Sequence, residues 1–277
     1  MDIRNEDGIK TLRGLENNSI DLVLTDPPYI ISKESGMDKF QKKIEDKGLK
    51  EGNLNQEKTE MEWDKYKKDN NIEDDKDMEK KKKNYMKYGN ISGKKYAYST
   101  DFGKWDKNFT LERLEEFIKL FYMKLKKGGT CIIFFDIWKI SYLKEIMEKN
   151  KFKQIRFIEW IKTNPVPLNQ SVNYLSNCRE IALLGVKGGK PTFNSKYDKG
   201  IYEYPIQGGK HRFHKTQKNL LLFEELIMKH SNEGDLVLDT FLGGGTTALA
   251  CKKSKRKFIG SEIEKEYYDK IMKIIDL

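Results

Sequence analysis

The sequence predicts an α/β protein built on a doubly wound, mainly parallel sheet. Three observations predict it. Short apolar runs alternate with amphipathic segments along most of the chain. One apolar run ends abruptly in Asp26-Pro27-Pro28-Tyr29, and another runs into the glycine cluster Gly243-Gly244-Gly245. Loops of this kind at strand ends are where such sheets bind ligands.

The elements follow in order. Residues 2–5 form a short strand, and Asp7 caps a helix over 8–15. Residues 20–25, Ile-Asp-Leu-Val-Leu-Thr, read as a strand that two consecutive prolines end, since neither can donate to a ladder. Residues 111–125 carry Leu114, Phe117, Ile118 and Phe121 at helical spacing, with Lys126-Lys127-Gly128-Gly129 as a stop signal. Residues 130–135 are apolar throughout, as expected of a strand covered on both faces. A helix over 140–149 and strands over 152–162 and 179–186 come next, with a loop at Asn164-Pro165-Val166-Pro167. Residues 188–212 read as irregular. A helix over 220–230, a strand over 235–239, a helix from Thr246 to about Lys253, a strand over 257–263 and a terminal helix complete the pattern.

Residues 33–100 break this order. They hold 18 Lys and 15 Asp or Glu among 68 residues, too few apolar groups for a second core. They read as a charged, helical insertion, whose Lys80-Lys81-Lys82-Lys83 run with Tyr85 and Tyr88 is either a phosphate contact or a solvated face. The expected organisation is a domain of residues 1–32 and 101–277, with the insertion between and a short loop region over 188–213. Over the whole chain 35% of residues are charged and the net charge is +10, which fits a polyanionic partner or an AT-rich coding bias. Cys131, Cys178 and Cys251 make no Cys-x-x-Cys pair, and His211, His214 and His230 have no matching partners, so no metal site is expected. The odd cysteine count and the lack of a signal peptide or long apolar run suggest a cytoplasmic protein off the membrane.

Two loops carry the chemistry. A strand ends at Asp239, a glycine turn follows, a helix begins at Thr246, and a second strand ends in Glu262. Glycines let a backbone approach a nucleoside, and the acid accepts hydrogen bonds from ribose hydroxyls. The loop lacks the third glycine of a dinucleotide fingerprint and the Lys-Ser/Thr of a phosphate loop, so a nucleoside without pyrophosphate suits it better. S-adenosylmethionine is the common one. In Asp26-Pro27-Pro28-Tyr29, the carboxylate and the Pro27 carbonyl can each accept an N–H of an aromatic amine, which localises its lone pair, and Tyr29 offers a ring face to an extruded base. No Pro-Cys dipeptide supplies the nucleophile that ring-carbon methylation of cytosine requires. Trp105 packs either near this loop or in the core.

These residues resemble the amino-group DNA methyltransferases of bacterial restriction-modification systems, in the circularly permuted order in which Asp-Pro-Pro-Tyr comes first and Phe-x-Gly-x-Gly last. Trp160-Ile161-Lys162, Asn164-Pro165, Arg179-Glu180, His214-Lys215-Thr216-Gln217-Lys218 and Gly260-Ser261-Glu262-Ile263 extend the likeness, while Asn219 stands where the family usually has proline. The resemblance implies a Rossmann-like fold that binds S-adenosylmethionine, with Asp26, Pro27, Pro28 and Tyr29 catalytic. It places Phe241, Gly243, Gly244 and Gly245 around the cofactor, with Asp239 and Thr246 at the ends of that loop. Glu262 falls on the ribose, Thr216 and Lys218 near the methionine end, and Asp7 toward the adenine. It implies methylation of adenine N6 in double-stranded DNA, with N4-cytosine or a non-catalytic subunit of the same fold as alternatives. It implies target recognition in the short region 188–213 and leaves the insertion to DNA binding or dimer formation, while a homodimer and a partner endonuclease stay open.

Overall fold

The computed structural model describes residues 1–29, 58–70, 72, 75–88, 91, 109–165, 175–209, 212–214 and 216–275. The expectation for Trp105, the role of His211 and Lys215, and most of the insertion lie outside them. The chain divides into two units, Met1–Tyr29 with Phe109–Leu277, and Ile30–Asn108.

The larger unit holds eight strands among its described residues: β1 (Asp2–Arg4), β2 (Ile20–Thr25), β3 (Leu125–Phe135), β4 (Lys153–Lys162), β5 (Arg179–Val186), β6 (Ile201–Tyr204), β7 (Leu236–Asp239) and β8 (Lys257–Ser261). They form one sheet in the order β1-β8-β7-β2-β3-β5-β4-β6. Every neighbouring pair is parallel except those of β5, which runs antiparallel to both β3 and β4. This is the doubly wound, mainly parallel sheet that the alternating pattern predicts. The central pairing brings β2 beside β7, with Leu22 opposite Val237 and Val23 opposite Leu238. The two loops of interest therefore leave the sheet from adjacent strands at the same carboxyl edge.

Alternation along the strands sorts the core into two faces. Leu22, Leu24, Ile132, Phe134, Ile158, Trp160 and Val237 meet α6 (Leu220–His230), α7 (Thr246–Lys253) and α8 (Lys265–Ile275) through Phe223, Leu226, Ala250 and Ile271. On the other face are α1 (Gly8–Arg13), α4 (Leu111–Lys124) and α5 (Ile140–Lys149), whose Leu114, Phe117, Ile118, Phe121, Leu143 and Met147 are buried. Burying each such side chain contributes about 1.5–3 kcal/mol. The Asp7 cap falls where the sequence places it, accepting from Ile9 N, and the structure adds a second cap at Asn219, which accepts from Leu222 N.

Two local expectations are corrected. Lys126-Lys127-Gly128-Gly129 does not stop a helix in a turn, because α4 passes directly into β3 at Leu125. Gly128 instead sits at φ 84° and donates its N–H to Gly188 O, so the glycines make an irregular strand start. Residues 188–212 are not wholly irregular either. Ile201–Tyr204 forms the edge strand β6, parallel to β4, and Tyr202 is buried.

In the smaller unit, α2 (Glu60–Asp69) and α3 (Met78–Tyr88) are joined by a cluster of Trp63, Tyr66 and Tyr85, with the two tyrosine centroids 4.3 Å apart. Thr59 and Glu62 form a capping box. Lys81 pairs with Asp75 and Lys82 with Glu60, each at 2.5 Å, and Tyr85 is buried. Half of the tetralysine and this tyrosine are thus engaged within the unit. No helix among the described residues is long and apolar enough to cross a membrane.

Candidate active site

Three chain segments converge at the carboxyl edge of β2, β7 and β8. The first is the end of β2. Thr25 donates to Asp239 Oδ1 at 2.6 Å, tying β2 to β7 just before both loops begin. Pro27 and Pro28 are buried, and the Tyr29 ring meets Phe135 edge-on at 5.8 Å. Asp26 is therefore aimed by a strand end and two rigid residues rather than by a free loop.

The second segment, 216–218, lies across both loops. Lys218 Nζ is 2.5 Å from Asp26 Oδ2, 3.0 Å from Glu180 Oε2 and 3.3 Å from the Tyr29 hydroxyl. Its own carbonyl accepts from Thr246 Oγ1 at 3.3 Å, at the start of α7. Glu180 in turn pairs with Lys162 at 2.6 Å. The result is a buried alternation of charge, Lys162, Glu180, Lys218, Asp26, running inward from β4 and β5. Burial pushes the Asp26 carboxyl up from its ordinary value, against the pull of Lys218 and with Glu180 adding to the rise. Burial also works against Glu180 and Lys218, but their opposite charges win. Glu180 is held below the usual carboxylate value and Lys218 above the usual lysine value. Burial, with Asp26 and Glu180 nearby, drives Tyr29 upward, so its hydroxyl stays protonated. Asp26 Oδ1 is buried and lacks a hydrogen bond of good geometry, with the Tyr29 hydroxyl a neighbouring donor that weakly favours its ionised form. A buried carboxylate oxygen left without a donor is costly, and a donor supplied by a ligand removes that cost.

The third segment is the glycine loop. Gly245 adopts φ 76°, a left-handed conformation in which a side chain is strained. A Cβ on Gly244 would come within 2.7 Å of the Gln217 side chain, so the loop and the 216–218 segment pack without room for any substituent. Gly243 N donates to Glu262 Oε2 at 2.7 Å, and Glu264 N donates to Oε1 at 2.9 Å. Burial raises Glu262 to about 7 despite these two donors. A carboxylate held this way keeps outward lone pairs for a diol. The glycine backbone and Glu262 together fit a nucleoside with free ribose hydroxyls, the chemistry that S-adenosylmethionine presents.

The remaining expected residues are placed as follows. Asp239 is raised to about 6 by burial, and its oxygens are taken by Thr25, Phe241 N and Thr247 Oγ1, so it acts as a strut between β2, the loop and α7. Phe241 packs on Phe117 and Phe109, with centroids 4.5 and 5.4 Å away, and forms a wall beside the loop. Thr246 is buried and holds Lys218. Thr216 is exposed, its hydroxyl 3.2 Å from His214 Nδ1. Asp7 caps α1 and pairs with Arg113.

Sequence reasoning quoted Lys162, Glu180 and Gln217 but gave them no task, and it passed over Arg113. A signal for the first two exists. Lys162 shares a strand face with Trp160 and Ile158, and Glu180 with Ala182, so both are charges on core-facing positions at strand ends.

With the geometry in view, comparison with known proteins is specific. A DNA methylase family model matches residues 20–273. The type II methyltransferase M2.DpnII of Streptococcus pneumoniae is 33% identical over 197 residues, covering 61% of this chain and 70% of that protein. M.HpaI of Haemophilus parainfluenzae is 28% identical over 290 residues, covering 97% and 72%. Among solved structures, the M1.HpyAVI–S-adenosylmethionine complex superposes with a TM-score of 0.60 at 26% identity, covering 99% of this chain and 98% of that one. PvuII DNA methyltransferase (cytosine-N4-specific), at 15% identity, a TM-score of 0.63 and coverage of 98% and 84%, shares the fold. Given a family match across nearly the whole of the sheet unit and a site built from its two defining loops, the chain belongs to the amino-group DNA methyltransferases of restriction-modification systems, whose methyl donor is S-adenosylmethionine.

Proposed function

We propose that this chain methylates the N6 amine of adenine in double-stranded DNA, acting on a base extruded from the duplex. The observation that carries the reading is the state of Asp26. One carboxylate oxygen pairs with Lys218, and the other is buried without a well-formed hydrogen bond, at the end of the strand beside the cofactor loop. An adenine amine supplies the missing N–H. The Pro27 carbonyl accepts the second N–H, and the pair of acceptors draws the nitrogen lone pair out of the ring. Tyr29 gives the base a stacking face. Asp26 offsets the positive charge that develops on the amine, and Lys218 keeps Asp26 ionised until the amine arrives. When bound, S-adenosylmethionine supplies an electrophilic methyl group on a sulfonium. Glu262 and the backbone of Gly243, Gly244 and Gly245 would hold it, Phe241 would wall it, and Thr216 and Asp7 would lie at its two ends. Asp239 and Thr246 keep that cradle in shape. The carboxylate of Asp26, in place of a hydroxyl side chain, favours adenine over cytosine.

The test is to incubate the protein with labelled cofactor and mixed-sequence duplex DNA, digest the product to nucleosides and identify the methylated base. N6-methyladenine is expected, and N4-methylcytosine would overturn the choice of base. Asp26→Ala should lower the transfer rate by at least about 100-fold with cofactor affinity retained, which equilibrium binding measures. Transfer at the original rate would remove Asp26 from the mechanism. The reading extends to a homodimer and a partner endonuclease, which sedimentation and co-purification test.

A further inference from the structure

The segment that follows β3 carries an apolar group with no use inside the fold. Phe135, the last residue of β3, touches the Tyr29 ring. Three residues on, Trp138 is 88% exposed, flanked by Ile137 and by Tyr142 one helical turn later, at 43% and 51%. A tryptophan this open is unusual, because its indole gains most from burial. It is not on a slack loop. Asp136 Oδ1 accepts from Trp138 N at 2.7 Å, Asp136 O accepts from Lys139 N at 3.0 Å, and α5 begins at Ile140. Asp136 also acts electrostatically on Tyr29, which places this turn at the lip of the catalytic loop. The fold thus presents an exposed aromatic side chain from a hydrogen-bonded turn, at the carboxyl end of β3 beside the catalytic loop.

We propose that Trp138, with Ile137 and Tyr142 beside it, packs its indole against the bases of duplex DNA next to the extruded nucleotide. Three observations favour nucleic acid as the occupant. The patch follows in the chain directly on Phe135, whose buried ring touches Tyr29, the chain carries +10 net charge, and the family acts on DNA. Extrusion leaves neighbouring bases with exposed faces. An inserted apolar or aromatic side chain covers them and offsets the unstacking cost. Stacking of this kind tolerates any base, because every base has a π face. The proposal rests on DNA as the substrate but not on which base is methylated.

The test uses the full chain, its Trp138→Ala and Trp138→Phe variants, and a fluorescently labelled mixed-sequence duplex. Because Trp138 is so exposed, both variants should unfold at the wild-type temperature and bind S-adenosylmethionine with unchanged affinity. Trp138→Ala should bind the duplex roughly tenfold more weakly, with Trp138→Phe between it and the wild type. Trp63 and Trp160 are buried, so in a Trp105→Phe background DNA should quench the indole emission of the chain that keeps Trp138 far more than that of Trp138→Phe. Unchanged affinity with equal quenching would overturn the proposal. So would a variant whose only defect is loss of a dimer by sedimentation, since the patch would then be a subunit contact. If DNA binding depends on Trp138 but the methylated base is cytosine, this inference stands and the choice of adenine falls.

Discussion

Lys218→Met separates the electrostatic role of the buried relay from its packing. Methionine keeps the length and apolar stem of the side chain and deletes the ammonium. Glu180 retains Lys162 at 2.6 Å, whereas Asp26 loses, among the described residues, the only cation within ion-pair distance. Removing one partner of a buried pair costs roughly 3–5 kcal/mol. The Asp26 and Glu180 side chains are 18% and 21% exposed, so water relieves part of this, and about 3 kcal/mol is expected. Asp26 can respond by taking up a proton. Losing the opposite charge at contact distance lets the Asp26 carboxyl, already raised by burial, rise further. The sign follows from linkage. An acid whose folded value lies above its unfolded value gains stability as the pH falls, so the deficit of the variant should be largest near about pH 8 and shrink toward about pH 5.5. Urea unfolding at both pH values measures the deficit, and single-turnover methyl transfer across the same range measures the acid limb. That limb should move to higher pH, because protonated Asp26 no longer offers the amine a full carboxylate. A pH-independent deficit with an unmoved acid limb would show that Lys218 acts by packing alone.

The other predictions concern the cofactor side, the strut and the insertion. Because burial sets Glu262 near about 7, affinity for S-adenosylmethionine should weaken by up to about tenfold as the pH falls from about 8 to about 6, and Glu262→Gln should bind weakly with that dependence flattened. Calorimetric titration at several pH values checks this, and an equally steep profile in the variant would exclude Glu262 as the titrating group. Thr25→Val leaves a buried oxygen of Asp239 short of a donor and should cost about 1–3 kcal/mol in urea unfolding, while an unchanged midpoint would mean that the strut is dispensable. Replacing residues 33–100 by a short linker should weaken DNA binding and flatten its salt dependence while leaving cofactor affinity intact, as fluorescence anisotropy would report. DNA affinity equal to that of the full chain would refute a DNA-binding role for the insertion.

The parts of the fold legible in the sequence are those whose physics is local. β2, β3 and β7 are apolar runs that a proline pair, a turn or a glycine cluster cuts off, and α4, α5 and α6 repeat their apolar residues every three or four positions. The two loops could be paired as one site because alternating strands and helices imply a parallel sheet, and parallel strands deliver their carboxyl ends to one edge. What stayed hidden is non-local. β6 is four residues at a sheet edge, with only Tyr202 fully buried to mark it. The strand irregularity at Gly128 depends on Gly188, and the partner of Asp7 is Arg113, both distant in the chain. Glu180 became interpretable only when β5 was known to run backwards between β3 and β4, which sets its carboxylate against Lys218.

The chain leaves the sheet unit after Tyr29 and re-enters it at Phe109. Tyr29 lies against Lys218, and Phe109 against Phe241. Residues 30–108 are therefore joined to the sheet unit at two points that both border the reaction centre, one beside Lys218 and one beside Phe241, so a substitution at either junction acts directly on an acceptor-side or a donor-side wall.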